Sequence, residues 1–192
     1  WDQAFHQPPY QTPPKTPVWF IKPRNTHLAN GGAIPFPAGE TVQSGGTLAV
    51  IIGDTARKVP VEQVSRYLAG YALANDVSLP ESSFYRPAIK AKCRDGFCPL
   101  GEIGQLEAAD RLEIVTEING VEQDRWSTAD LVRSVPELIA AISDFITLQP
   151  GDAVLIGTPH QRVEIKPGDE VTVRAAGLPT LTNRVTQAGA AS

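Results

Sequence analysis

Between Arg86 and Gly101 the chain reads RPAIKAKCRDGFCPLG, and its basic residues are the first candidates for chemistry. Lys90, Lys92 and Arg94 alternate with Ala91 and Cys93. On an extended strand, that spacing sends three cations to one face and two small side chains to the other. Neighbouring like charges repel, so such a row needs an anion against it. The alternative is an edge strand that carries lysine to block pairing with another chain. Both readings fit the residues. The apolar and Pro-bounded surroundings (Pro87, Ile89, Phe97, Pro99, Leu100) favour a partly enclosed place.

Other residues could join this row. Asp76, in Asn75-Asp76-Val77-Ser78, closes an apolar run, where a carboxylate serves as metal ligand, lysine partner or turn former. Arg86 offers a fork that grips a carboxylate at two points, or that pairs with Glu81 or Asp95. Thr158 ends the stretch GDAVLIGTP, where its hydroxyl and nearby backbone amides suit an anion; an ordinary strand exit is the plainer reading. His6, His27 and His160 are not spaced as metal ligands, although His27 and His160 follow strand ends. Cys93 and Cys98 form a C-x4-C pair without a third sulfur. Two buried, reduced thiols in a cytoplasmic protein are expected, rather than a zinc site or a disulfide.

The elements that must hold these residues are short. Pro and Gly number 17 and 16, which predicts many strands joined by turns. Strands are expected at Val18–Lys22, Thr47–Gly53, Ala69–Val77, Arg111–Asn119 and onward to about Trp126, Ala153–Ile156, Glu170–Ala175 and Leu181–Val185. Asn119-Gly120 reads as a hairpin turn. Pro60 is placed to open a helix, and Thr128 and Ser134 to cap helices. Ser134 with Glu137 resembles a capping box for a helix reaching about Thr147. The sum is seven to nine strands with two or three helices, an α+β, mainly β fold. A Pro-rich arm, residues 1–17, precedes one domain, residues 18–192.

The 192 residues carry a net charge of -4, and the basic residues are otherwise dispersed. This argues against a general nucleic-acid or membrane-surface binder. No apolar run approaches transmembrane length, and WDQAFHQPPY lacks the regions of a secretory signal. The chain has no methionine, even at its start, so a missing N-terminal segment is expected. No Walker loop, G-x-G-x-x-G, H-E-x-x-H or G-x-S-x-G occurs, which removes the commonest nucleotide, zinc-protease and hydrolase readings.

Several stretches, in order, resemble the fumarylacetoacetate hydrolase family: FIKP at Phe20–Pro23, GTLAVIIG at Gly46–Gly53, AGY and NDVS at Ala69–Ser78, KCRDGFCPLG at Lys92–Gly101, GDAVLIGTP at Gly151–Pro159, and Pro167-Gly168-Asp169. WFIKPRNT and YALANDVSLPESSFYRPAIKAKCRDGFCP are similar to the branch that breaks down 4-hydroxyphenylacetate (homoprotocatechuate), whose members fuse two such domains. The resemblance implies a β-sandwich roll with flanking helices. It implies a subunit that decarboxylates 5-oxopent-3-ene-1,2,5-tricarboxylate, isomerises 2-hydroxyhepta-2,4-diene-1,7-dioate, or does both. A homodimer, or a heteromer with a sister subunit, is implied as well. Asp76 matches the family's metal-binding aspartate, Lys92 a lysine facing metal and substrate, Thr158 a carboxylate contact, and Lys22 a lysine of the early strand. Arg86 and Lys90 would assist with the substrate's carboxylates. Family members use a divalent metal, commonly Mg²⁺. Here Gly45 and Thr47 stand where the family has two glutamate ligands, which leaves Asp76 as the sole matching ligand. The alternative is therefore a partner without catalysis of its own that supports a metal-binding sister.

Overall fold

The computed structural model describes residues 16–81, 87–158 and 162–187. Its strands are β1 (His27–Ala29), β2 (Ala33–Phe36), β3 (Val42–Ser44), β4 (Gly46–Ile52), β5 (Leu68–Asn75) and β6 (Cys98–Leu100). They continue as β7 (Glu113–Ile118), β8 (Val121–Ser127), β9 (Ala153–Leu155), β10 (Val163–Ile165), β11 (Glu170–Arg174) and β12 (Leu181–Gln187). The α-helices are α1 (Ile89–Lys92) and α2 (Val135–Ser143), with short 3-10 turns between elements.

Two five-stranded sheets, ordered β1-β6-β5-β4-β9 and β2-β12-β11-β7-β8, enclose the main core, and β10 pairs with β3 beside them. Strand β4 explains the arrangement. Its seven residues are all buried, as a continuous apolar run requires when both faces are covered. Leu48, Val50 and Ile52 share one face with Leu73 of the neighbouring β5 and pack with Ile114, Val173 and Leu181 across the sandwich. Ala49 and Ile51 turn the other way, onto Ala72 and Ala74.

Local signals decide several elements. Ser134 and Glu137 form the expected reciprocal cap of α2, and Val135 and Ile139 of that helix enter the core. Asn119 and Gly120 both adopt positive φ (53° and 77°), the pair of values a two-residue hairpin between β7 and β8 needs.

Other expectations are corrected. The described residues hold twelve strands, more than expected, because three-residue pairings such as β3 with β10 are too short to show a period. Val18–Lys22 forms no strand, and Val18, Phe20 and Ile21 are exposed. Pro60 precedes a 3-10 turn at Val61–Tyr67 rather than an α-helix. Thr128 does not cap; Ser127 does, while the Thr128 hydroxyl donates to Ala109 O and accepts from Leu112 N–H. Regular α2 stops at Ser143, whose hydroxyl bonds back to Ala140 O and accepts from Val59 N–H. The 90–94 stretch is not extended: Lys90 and Lys92 lie in α1, which opens just after Pro87. Residues two apart on a helix face different ways, so the single-faced cationic row does not exist. Among the described residues, no helix is long and apolar enough to cross a membrane.

Candidate active site

Three chain crossings meet at one carboxylate. Strand β5 ends at Asn75, and its side-chain oxygen accepts from Ser44 Oγ (3.0 Å) and Gly45 N–H (2.9 Å), pinning the link between β3 and β4. Asp76 follows, and its own N–H bonds Gly45 O at 2.9 Å. The third crossing comes from β9, which runs out through Gly157 to Thr158.

Asp76 is buried and held by three cations. Lys92 Nζ donates to Oδ2 at 2.7 Å, Arg162 Nη2 donates to the same oxygen at 2.5 Å, and Lys22 Nζ lies 2.7 Å from Oδ1. Arg162 Nη1 also donates to the Asp76 carbonyl (2.5 Å), and Nη2 to Thr158 Oγ1 (3.0 Å). Burial alone would raise the Asp76 carboxyl. The charges of Lys22, Arg162 and Lys92 outweigh it and keep the group well below the usual carboxylate range. The Lys92 ammonium is pushed down, first by burial and then by repulsion from Arg162 and Lys22, with Asp76 pulling the other way. The Phe20 ring adds a face 5.3 Å from Lys92 Nζ, a further attraction for the buried ammonium.

The sequence-derived candidates divide sharply. Asp76, Lys92, Lys22 and Thr158 converge on this cluster. Lys22 differs from expectation in its role. Its three ammonium protons go to the carbonyls of Val77 (2.9 Å), Phe97 (2.6 Å) and Lys92 (3.2 Å). It therefore ties chain segments together, with Oδ1 of Asp76 2.7 Å from the same ammonium. Lys90 is exposed and stays outside the cluster, because α1 turns it away from Lys92. Arg94 pairs with Glu40 at 3.2 Å. Arg86, His6 and His160 lie outside the described residues, and His27 is exposed at the start of β1. Cys98 is buried, its thiol pushed up mainly by burial, while Cys93 is only half-buried and donates to Ile21 O; both are free thiols.

Arg162 is the residue that sequence reasoning missed. It sits four positions beyond Thr158, and the usable signal was the missing side chain at Gly45. A Cβ on Gly45 would lie 2.8 Å from Arg162 Nη1, 3.2 Å from the Asp76 carbonyl oxygen and 3.2 Å from Thr158 Cγ2.

The donors present do not fit a Mg²⁺ or Mn²⁺ ion, which asks for several oxygens, anionic ones among them. Gly45 supplies no side-chain donor, and the Thr47 hydroxyl donates to Gly157 O. Asp76 is already shared by three cations that would repel a dication. Among the described residues, no three His, Cys, Asp or Glu side chains gather as a metal site. What the cluster can do is receive an anion: three positive charges face one carboxylate.

Known proteins agree with this fold. The family described as fumarylacetoacetate (FAA) hydrolase, C-terminal, matches residues 1–186. The chain is 63% identical over 185 residues to the 4-hydroxyphenylacetate degradation bifunctional isomerase/decarboxylase of Escherichia coli, covering 96% of this chain and 43% of that protein. It thus spans less than half the length of that relative. The crystal structure of 2-hydroxyhepta-2,4-diene-1,7-dioate isomerase from Mycobacterium marinum superposes with a TM-score of 0.86 at 35% identity, over 92% of this chain and 71% of that one. Maleylpyruvate hydrolase from Sphingobium sp. SYK-6, crystallised with manganese(II) and pyruvate, superposes with a TM-score of 0.81 at 29% identity, over 88% and 64%.

Proposed function

The chain belongs to the fumarylacetoacetate hydrolase family, and from that premise we propose that it is one half of a decarboxylase/isomerase of 4-hydroxyphenylacetate breakdown. It acts on 5-oxopent-3-ene-1,2,5-tricarboxylate, on the 2-hydroxyhepta-2,4-diene-1,7-dioate formed from it, or on both. The observation that carries this reading is the surplus of positive charge around Asp76, next to the Thr158 hydroxyl. A substrate with three carboxylates and a 2-oxo acid end is the kind of ligand such a surplus attracts.

The chemistry asks for stabilisation of an enolate. Loss of CO₂ from the tricarboxylate leaves an electron pair, which passes through the conjugated double bond to the 2-oxo oxygen. That oxygen becomes negative as the C–C bond breaks. Lys92 and Arg162 supply fixed positive charge for it, and Thr158 offers a hydroxyl to the adjacent carboxylate. Protonation at the oxygen gives the 2-hydroxydiene, and moving that proton from oxygen to carbon gives the isomerised keto product. Asp76 serves as a positioning residue. Ionised throughout the neutral range, it holds Lys92 and Arg162 in register. Lys90 is proposed to contribute only to the outer approach of the substrate, and Arg86 to grip one of its carboxylates.

A manganese ion accompanies pyruvate in the maleylpyruvate hydrolase relative, but the donor set here does not fit one, and no step is assigned to it. The retained cluster weighs against a partner that merely supports an active sister. Pairing with a second domain of the same family, in one chain or as a separate subunit, accords with the lengths of the relatives. The two free thiols accord with a reducing, cytoplasmic setting.

The test is to incubate the intact chain with the tricarboxylate and follow CO₂ release and diene absorbance together. CO₂ release, or consumption of the added diene, is expected from the wild type. Neither reaction, with or without a sister domain, would end the proposal.

A further inference from the structure

We infer that Arg162 is a resident cation occupying the place where a metal site would have to be built, so that this chain binds a 2-oxo or enolate carboxylate without any divalent ion. The inference deepens the proposed function and rests on the same cluster.

Gly45 carries the first part of the case. Its φ is not among the left-handed values that favour glycine, so the backbone does not require glycine there. The placement of Arg162 does. Any side chain at this position would begin 2.8 Å from Arg162 Nη1, closer than a carbon and a nitrogen can stand. A side-chain ligand at residue 45 and this placement of Arg162 therefore exclude one another.

The bonding of Arg162 carries the second part. Nη1 and Nη2 together grip the carbonyl and the carboxylate of Asp76, and Nη2 also reaches Thr158 Oγ1. A guanidinium has five N–H groups, and three are used in these bonds. Among the described residues, the Nε–H and the second Nη1–H have no acceptor. Thr158 accepts from Arg162 through its oxygen, which leaves its hydroxyl proton for another acceptor. The Arg162 side chain is only 16% exposed, so its charge acts across a partly dried site. A guanidinium stays charged across the working pH range and cannot be removed by chelation. Where a metal would present one point charge, Arg162 with Lys92 presents a fork and an ammonium, geometry suited to a planar carboxylate beside a second oxygen.

Oxalate is a suitable probe, since it presents two adjacent carboxylates in the pattern of an enolate beside a carboxylate. Calorimetry of the intact chain in metal-stripped buffer should show oxalate binding at one site per chain. In a separate experiment, the spin resonance signal of free Mn²⁺ should be undiminished by added protein. Arg162→Ala, with its fold checked by circular dichroism, should weaken oxalate binding at least about tenfold. Gly45→Glu/Thr47→Glu/Arg162→Ala should quench the Mn²⁺ signal at one ion per chain. Uptake of one Mn²⁺ by the wild type, oxalate binding that needs Mn²⁺, or unchanged oxalate affinity in folded Arg162→Ala would each overturn the inference. Metal-free oxalate binding without turnover of the tricarboxylate would overturn the proposed function and leave this inference standing.

Discussion

Two ion-pair networks in this protein use the same chemistry in opposite settings. On the β7–β8–β11 face, Arg125 pairs with Glu113 and Glu122 at 2.7 Å each, and Arg174 pairs with Glu117 at 2.6 Å and Glu122 at 3.9 Å. Two cations meet three carboxylates there, all of them open to solvent except Glu117. Around Asp76, three cations meet one carboxylate, nearly out of solvent. The surface network has water and salt to screen it, and its residues link neighbouring strands. The buried network has no such screen, so its excess charge persists as a field. A folded chain has no structural need to bury two uncompensated positive charges, and their desolvation is a cost. Placement, rather than the count of ion pairs, separates a strand tie from a site.

The contrast is broken most directly at Asp76. Asp76→Asn leaves three buried cations facing one another, and a loss of about 3–5 kcal/mol in a urea titration is expected. The sign with pH follows from the same residue. Its carboxyl in the folded chain lies below its ordinary value of 3.8, so the stability it contributes is complete above that value. That contribution drains away as pH falls through the folded value, because the unfolded chain binds more protons there. Asp76→Asn should lack this part of the acid dependence. Equal stability of wild type and variant at neutral pH would contradict the account.

Lys92→Met removes a charge while keeping much of the buried stem. Turnover should fall about 100- to 1,000-fold, as for loss of one oxyanion donor, while the circular dichroism spectrum is preserved. Gly45→Ala should be milder. Its methyl group displaces Arg162, with an expected cost of about 1–3 kcal/mol and up to about 100-fold in turnover. At the other pole, Arg125→Ala should leave turnover unchanged, and any change in melting temperature should vanish in about 1 M NaCl. A large effect there would erase the distinction between the two networks.

Much of the scaffold could be read along the chain because its signals are local. The run Leu48–Ile52, the Asn119-Gly120 turn and the Ser134–Glu137 cap each lie within a few residues and act through nearest neighbours. Half of the site was legible in another way: the residues alone left Asp76 and Lys92 open to plainer readings, and the family resemblance picked them out. Their company was not. Alternation over five residues cannot distinguish a strand from one turn of helix, so the pattern groups Lys90 and Arg94 with Lys92 although α1 separates them. Lys22 sat in an apolar run that resembled a strand, yet it works as a tie to three carbonyls. Arg162 lies 86 residues from Asp76, and only the fold brings them together. Gly45 could be recognised as a lost side chain, but the guanidinium that needs its space is visible only in three dimensions.

The central claim is that fixed side-chain charge does the work at Asp76. The direct measurement is the rate of CO₂ release from 5-oxopent-3-ene-1,2,5-tricarboxylate by the wild-type chain, first in excess EDTA and then with Mn²⁺ restored. The same rate is expected in both, with Lys92→Met slow in both. A rate abolished by EDTA and recovered with Mn²⁺ would contradict it.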